Sequence, residues 1–198
     1  NVATVPQRIT IVDTTTPTTT QPSDITTEAA SKSDNAVSLE TPVAADNVGV
    51  SRVTSDAPAT FPVGETIVTW TAKDATENVN TVTQKITIVD TVPPEFAKLS
   101  DVTAEATSND NNLVSLATPQ VSDILDITSL TSDAPESFPL GETTVTWTAT
   151  DESGNVSTAA QKVAIIDTTI PTITAPADIM VEATSASGNA VQLGNAAA

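Results

Sequence analysis

The 198-residue chain contains no cysteine, no histidine and no tyrosine, and only six glycines, one methionine and seven Lys+Arg. Without thiols there is no disulfide framework and no thiolate nucleophile. Without imidazole there is no His-based acid–base catalysis and no zinc finger. The few basic residues face 25 Asp+Glu, a formal net charge of −18 that repels nucleic-acid phosphates and anionic lipid. No apolar run approaches the roughly 20 residues of a membrane-spanning helix, and no signal peptide is visible. Aromatics make up 3% of the chain. What is abundant is Thr, 37 of 198 residues, alongside Val and Ile, a composition that favours strands.

The chain also repeats itself. ITIVDTTTP (Ile9 to Pro17) returns as ITIVDTVPP (Ile86 to Pro94) and as VAIIDTTIP (Val163 to Pro171). FPVGETIVTWTAKD (Phe61 to Asp74) returns as FPLGETTVTWTATD (Phe138 to Asp151), with 11 of 14 positions identical. The offset is a constant 77 residues, as Asp13, Asp90 and Asp167 show, so no insertion separates the copies. The expected organisation is the last strand of a preceding repeat (1–12), two full repeats (13–89 and 90–166) and the first strands of a following repeat (167–198). Partial repeats at both ends are expected of a piece of a longer array or of ends completed by neighbouring chains through strand addition.

Within a repeat, short alternating runs are punctuated by Pro, Gly, Asn and Asp. Strands are expected at about Ile25 to Ala29, Ala36 to Glu40, Val50 to Thr54, Thr66 to Lys73 and Val79 to Val89. Val68, Trp70 and Ala72 share one face, as do Val82, Ile86 and Ile88. No stretch has a helical period. Short strands around one central Trp in under 100 residues fit an all-β, immunoglobulin-like sandwich, repeated in a linear array, with Trp70 and Trp147 in the cores. Thr14 to Thr20, Pro17 apart, reads as a stiff linker or as a site of O-glycosylation.

Each repeat carries Asp-Thr-x-x-Pro at its start and the Phe-Pro-x-Gly-x-Thr-x-Val-Thr-Trp-Thr-Ala-x-Asp stretch near its end; the second adds Asp151-Glu152-Ser153-Gly154-Asn155. These residues resemble the hyalin repeat family over the whole chain. The resemblance implies an immunoglobulin-like module used in tandem in extracellular adhesion and surface proteins. No enzyme is expected, because no pair of carboxylates is singled out from the repeat background and a catalytic site copied in every repeat would be odd. The paired cysteines of many animal members are missing, which is more similar to prokaryotic surface versions. Asp74-Ala75-Thr76-Glu77-Asn78 lacks the glycine that precedes Asn155.

A sandwich of this kind brings the loop of Asp46, the loop of Asp74 and the entering linker with Asp13 to one end. Asp90, Asp123 and Asp151 take the same places in the second repeat. Asn47, Asn78 and Asn155 are candidates to add carbonyl oxygens, and Glu65 and Glu142 to complete the following joint. Hard oxygen ligands without His or Cys point to Ca2+; the alternative is turn capping by Asp. Glu28, Glu105 and Glu182 read as a solvated face, and Asn155-Val156-Ser157 is an N-glycosylation sequon. The two joints look like near copies. The expected function is a structural extracellular rod or filament, a stalk or surface-layer component rigidified by calcium, with terminal strand exchange as one route to its extension. Its partners are other copies or the rest of a longer chain. The alternative is an adhesive module that binds protein or glycan through loops such as Asp123-Ile124-Leu125-Asp126, with Ile124 and Leu125 exposed.

Overall fold

A computed structural model describes residues 1–197. Among these residues every regular element is a strand. The first repeat holds β1 (Thr18–Thr19), β2 (Ile25–Glu28), β3 (Ala44–Ala45), β4 (Val50–Ser55), β5 (Gly64–Asp74) and β6 (Val79–Val89). The second holds β7 (Glu95–Phe96), β8 (Val102–Glu105), β9 (Val121–Ser122), β10 (Ile127–Ser132), β11 (Gly141–Asp151) and β12 (Val156–Ile166). Every strand of the second repeat begins and ends 77 residues after its counterpart, so the sequence period is a structural period.

Each repeat is an immunoglobulin-like sandwich. One layer is a four-stranded sheet, β2-β6-β5-β4 in the first repeat and β8-β12-β11-β10 in the second; small pairs, β1-β3 and β7-β9, belong to the other layer. β2 runs parallel to β6 with Ile25 opposite Ile86, and β5 and β6 form a long antiparallel ladder from Gly64↔Ile88 to Lys73↔Val79. The alternation read from the sequence sets the inner face. Val68, Trp70, Ala72, Ile86 and Ile88 are buried while Thr69, Thr71 and Lys73 are half-buried. Trp70 donates its indole N–H to Gln84 Oε1 at 3.1 Å, and Gln84 Nε2 donates to Ser23 O at 2.7 Å, so the polar groups of these two buried side chains are satisfied.

A buried asparagine shapes the end of each repeat from which the chain leaves, its tail. Asn35 Oδ1 accepts from Ala30 N (2.7 Å) and Ser31 N (3.0 Å), and its Nδ2 donates to Ser31 O (2.7 Å) and Phe61 O (2.9 Å). Asn112 repeats the arrangement with Thr107, Ser108 and Phe138. These bonds fix the loop that projects Lys32 in one repeat and Asn109 in the other.

Two expectations are corrected. Ala36 to Glu40 forms no strand: the backbone there pairs through the single bridge Asn35↔Phe61, while Val37 and Leu39 still pack on the core. Part of the Thr run is β1, paired with β3 through Thr18↔Ala45, and not a free linker. In the partial repeats, residues 1–12 carry the β6 pattern, and 167–197 includes the bridge Thr174↔Ala197. β6 is held between β5 and β2.

The chain forms two compact units. The first comprises Asn1–Leu99, Thr118–Asp133 and Thr146–Ala160, so it unites the first repeat with the loops at the leading end, or head, of the second. The other comprises Ser100–Ala117, Ala134–Val145 and the stretch from Gln161 onward.

Candidate metal centres

β5 ends at Asp74 and only four residues separate it from β6, so the turn between them delivers a carboxylate to the head of the sandwich. Asp74 is 1% exposed. Its Oδ1 accepts from Thr76 N (2.9 Å) and Asn78 N (2.8 Å), and its Oδ2 accepts from Thr76 Oγ1 (3.0 Å) and Asn78 Nδ2 (2.7 Å). Burial is the largest influence on this carboxyl and opposes ionisation. The bonds from the Asn78 side chain and backbone, and then from Thr76, together outweigh it and hold the group below the ordinary aspartate range. The carboxylate is therefore built to be charged.

Two more carboxylates meet it. In the loop between β3 and β4, Asp46 Oδ2 accepts from Val48 N (2.8 Å) and Gly49 N (3.3 Å); in the entering linker, Asp13 Oδ1 accepts from Thr15 N (3.1 Å). One carboxylate oxygen from each of Asp13, Asp46 and Asp74 lies within 4.8 Å of the others. Asp13 and Asp46 each use one oxygen for their own turn. The second oxygen of both, Asp13 Oδ2 and Asp46 Oδ1, is enclosed without a hydrogen-bond partner.

The second repeat reproduces this geometry. Asp90, Asp123 and Asp151 each place one oxygen within 4.8 Å of the others. Asp151 is 2% exposed and accepts from Asn155 N and Asn155 Nδ2, both at 2.8 Å. Burial again opposes ionisation most strongly, and the Asn155 bonds, with the Gly154 and Ser153 amides, bring the carboxyl below its ordinary range. Asp123 Oδ1 accepts from Leu125 N at 3.1 Å. Asp90 is only 6% exposed, its Oδ1 accepts from Val92 N at 3.2 Å, and its Oδ2 has no partner. A buried carboxylate oxygen with no donor, facing two more carboxylates, is a costly arrangement for a site that holds nothing positive. Three hard oxygens at this spacing suit a cation with oxygen ligands about 2.3–2.6 Å away, as Ca2+ prefers.

The remaining candidate residues divide by role. Asn78 and Asn155 stand in the sites but turn their amide N–H groups inward: Asn78 Nδ2 donates to Asp13 O (3.3 Å), and Asn155 Nδ2 to Asp90 O (3.1 Å). They hold the linker to the turn, a positioning role. Asn47 is exposed beside Asp46. Glu65 and Glu142 pair with Lys85 (3.0 Å) and Lys162 (3.3 Å) on the adjacent strands and lie outside both carboxylate groups.

Glu28 and Glu105, read as a solvated face, are linker clamps. Glu28 accepts from Thr91 N (2.7 Å) and Thr91 Oγ1 (3.0 Å), and Glu105 from Thr168 N and Oγ1, both 2.8 Å. Each grips the residue after a linker aspartate, Asp90 or Asp167. The recurrence of Asp-Thr one period apart, with Glu in constant register, is the sequence signal that marks them. The loop patch is also corrected: Ile124 is 37% exposed but Leu125 only 6%. Nor are the joints copies. Lys32 Nζ reaches Asp126 Oδ2 (2.6 Å) and Glu152 Oε2 (2.9 Å), where the first repeat has Gly49 and Ala75.

The HYR domain model matches residues 12–88 and 89–165. The chain is 34% identical over 178 residues to hyalin of Strongylocentrotus purpuratus, covering 82% of this chain and 15% of the relative. To hyalin of Lytechinus variegatus it is 34% identical over 186 residues, covering 83% and 34%. It thus spans about a third or less of these relatives. Among solved structures, Drosophila N-cadherin EC1-4 is similar with a TM-score of 0.37 and 15% identity, over 77% of this chain and 50% of that one. Two tandem matches covering most of its length establish that the chain belongs to the HYR domain family.

Proposed function

We propose that the chain is a structural segment of an extracellular adhesion-type protein, an array of HYR repeats whose joints are set by Ca2+ bound at Asp13, Asp46 and Asp74 and at Asp90, Asp123 and Asp151. The carrying observation is the pair of matching carboxylate groups, each with oxygens inside 4.8 Å and at least one enclosed oxygen without a donor. Each group draws one aspartate from the linker and two from the head loops of one repeat. A bound cation would fix the linker to the sandwich and so set the angle at which the preceding repeat enters. The role is mechanical, with no catalytic step, and the natural partners are further repeats of the same kind.

Thermal unfolding of the full chain with millimolar Ca2+ and with chelator tests the reading. The midpoint rises with Ca2+, and Asp90→Asn with Asp13→Asn reduces the rise. An unchanged midpoint in the unaltered chain would overturn the cation sites while leaving the family and the fold intact.

A further inference from the structure

Glu28 stands on β2 opposite Val89, the last residue of β6, so the chain leaves the first repeat directly beside this carboxylate. The side chain is exposed and is not one of the grouped carboxylates. Both of its oxygens nevertheless accept bonds from Thr91, the residue after Asp90: Oε1 from the amide at 2.7 Å and Oε2 from Oγ1 at 3.0 Å. Hydrogen bonds to an ionised acceptor are the stronger kind. On the other side of Asp90 in sequence, Ala29 N donates to Val89 O at 2.7 Å. The backbone that carries Asp90 is therefore tied to the first repeat one residue before it and one residue after it.

Asp90 itself serves the second repeat. Its Oδ1 closes a turn on Val92 N at 3.2 Å, its carbonyl accepts from Asn155 Nδ2 at 3.1 Å, and its Oδ2 is enclosed without a partner. The second carboxylate group thus takes Asp123 and Asp151 from its own repeat, and a third member whose backbone the first repeat sets. The device recurs one period on. Glu105 accepts from Thr168 N and Oγ1, both at 2.8 Å, and Asp167 Oδ1 closes its turn on Thr169 N at 3.0 Å. Clamp and turn repeat together, so they belong to the repeat and not to one joint.

We infer that Glu28 is a positioning residue for the second cation site: not a ligand itself, it holds Thr91, fixes the backbone of Asp90 and so sets the cation affinity of the following repeat. The inference rests on the cation reading of Asp90, Asp123 and Asp151. A linker free to move must be ordered by whatever binds it, and the lost conformational entropy lowers affinity. With the clamp closed, that ordering is complete once the first repeat has folded. Folding of one repeat is thereby coupled to the cation site of its successor, through a partner that orients a ligand.

Ca2+ titration of single-site proteins tests this. Asp74→Asn leaves the second site and Asp151→Asn leaves the first. In the Asp74→Asn background, Glu28→Ala is expected to weaken Ca2+ binding about tenfold, as loss of an orienting partner does. In the Asp151→Asn background the same change is expected to leave the affinity as it was. Glu28 belongs to the repeat that holds the first site, so a general loosening of that repeat would weaken the first site at least as much as the second. Glu28→Gln keeps an acceptor for Thr91 N without the charge and is expected to retain most of the affinity. Thr91→Val removes the hydroxyl donor, and its effect is expected to vanish where Glu28 is already Ala. A second site unmoved by Glu28→Ala, or equal losses at both sites, overturns the inference and leaves the cation sites standing. A loss in Glu28→Gln as large as in Glu28→Ala overturns it too, because charge acting at a distance would then be the cause. If neither single-site protein binds Ca2+, the cation reading itself fails and the inference falls with it.

Discussion

The two carboxylate groups are built from the same residue types at the same register, yet their surroundings differ. At Asp13, Asp46 and Asp74 two of the three aspartates are half-buried; at Asp90, Asp123 and Asp151 only Asp123 is. The first turn runs through Glu77 at φ 68°, which Lys73 pairs at 2.8 Å, where the second uses Gly154 at φ 89°. The second group also sits beside the Lys32 bridge and the covered Leu125. The carboxylates themselves are therefore the constant part of the joint. What varies is the packing and charge around them, which can tune one joint against another without touching the site.

Substitutions at matched positions can break or sharpen this comparison. The largest effect is expected in the cores, where the repeats are equivalent. Phe61 and Phe138 are both 1% exposed, so Phe61→Ala and Phe138→Ala should each cost about 3–5 kcal/mol in denaturant unfolding. A large inequality would show that the cores are not copies. Next comes the position where the joints differ. Leu125→Ala should cost about 2–3 kcal/mol, whereas Val48→Ala, already 63% exposed, should fall within about 0.5 kcal/mol of neutral. Equal effects would mean that Leu125 is not held by the preceding repeat.

The turn comes third. Gly154→Ala forces a side chain into a left-handed conformation and should destabilise by about 1 kcal/mol. The converse Glu77→Gly should be mildly stabilising, because it relieves the same strain and surrenders only the exposed Lys73 pair. The smallest effect concerns the Glu105 clamp. Bonds from Thr168, backbone first, hold its carboxyl below the ordinary glutamate range. The unfolded chain then binds the proton more readily. The clamp's contribution is complete above the ordinary value near 4.5 and is lost as pH falls through the lowered folded value. The Thr168 amide resonance, followed by NMR down to acid pH, should shift with that midpoint and become pH-independent in Glu105→Gln.

Much of the site is legible in the sequence because repetition separates signal from background. Asp13, Asp46 and Asp74 stand out among many acids because each recurs one period later, and a sandwich topology puts all three at one end. The same repetition hides what does not recur. Lys32 has Asn109 as its counterpart, and Asp126 has Gly49, so neither stands out as a repeat feature; their proximity is a tertiary contact about a hundred residues apart in sequence. Leu125 reads as exposed for the same reason, since its burial comes from a neighbouring repeat. The Ala36–Glu40 segment misleads in another way. Its alternation marks an inward face at Val37 and Leu39, and that face forms without a ladder partner for the backbone.

The central claim is that each head binds one cation through its three aspartates. Calorimetric titration of the full chain with Ca2+ tests it most directly. Two sites are expected in the unaltered chain, one in Asp151→Asn and none in Asp74→Asn/Asp151→Asn, with all three proteins folded by circular dichroism. Binding absent from the unaltered chain, or a stoichiometry unmoved by these substitutions, would contradict it.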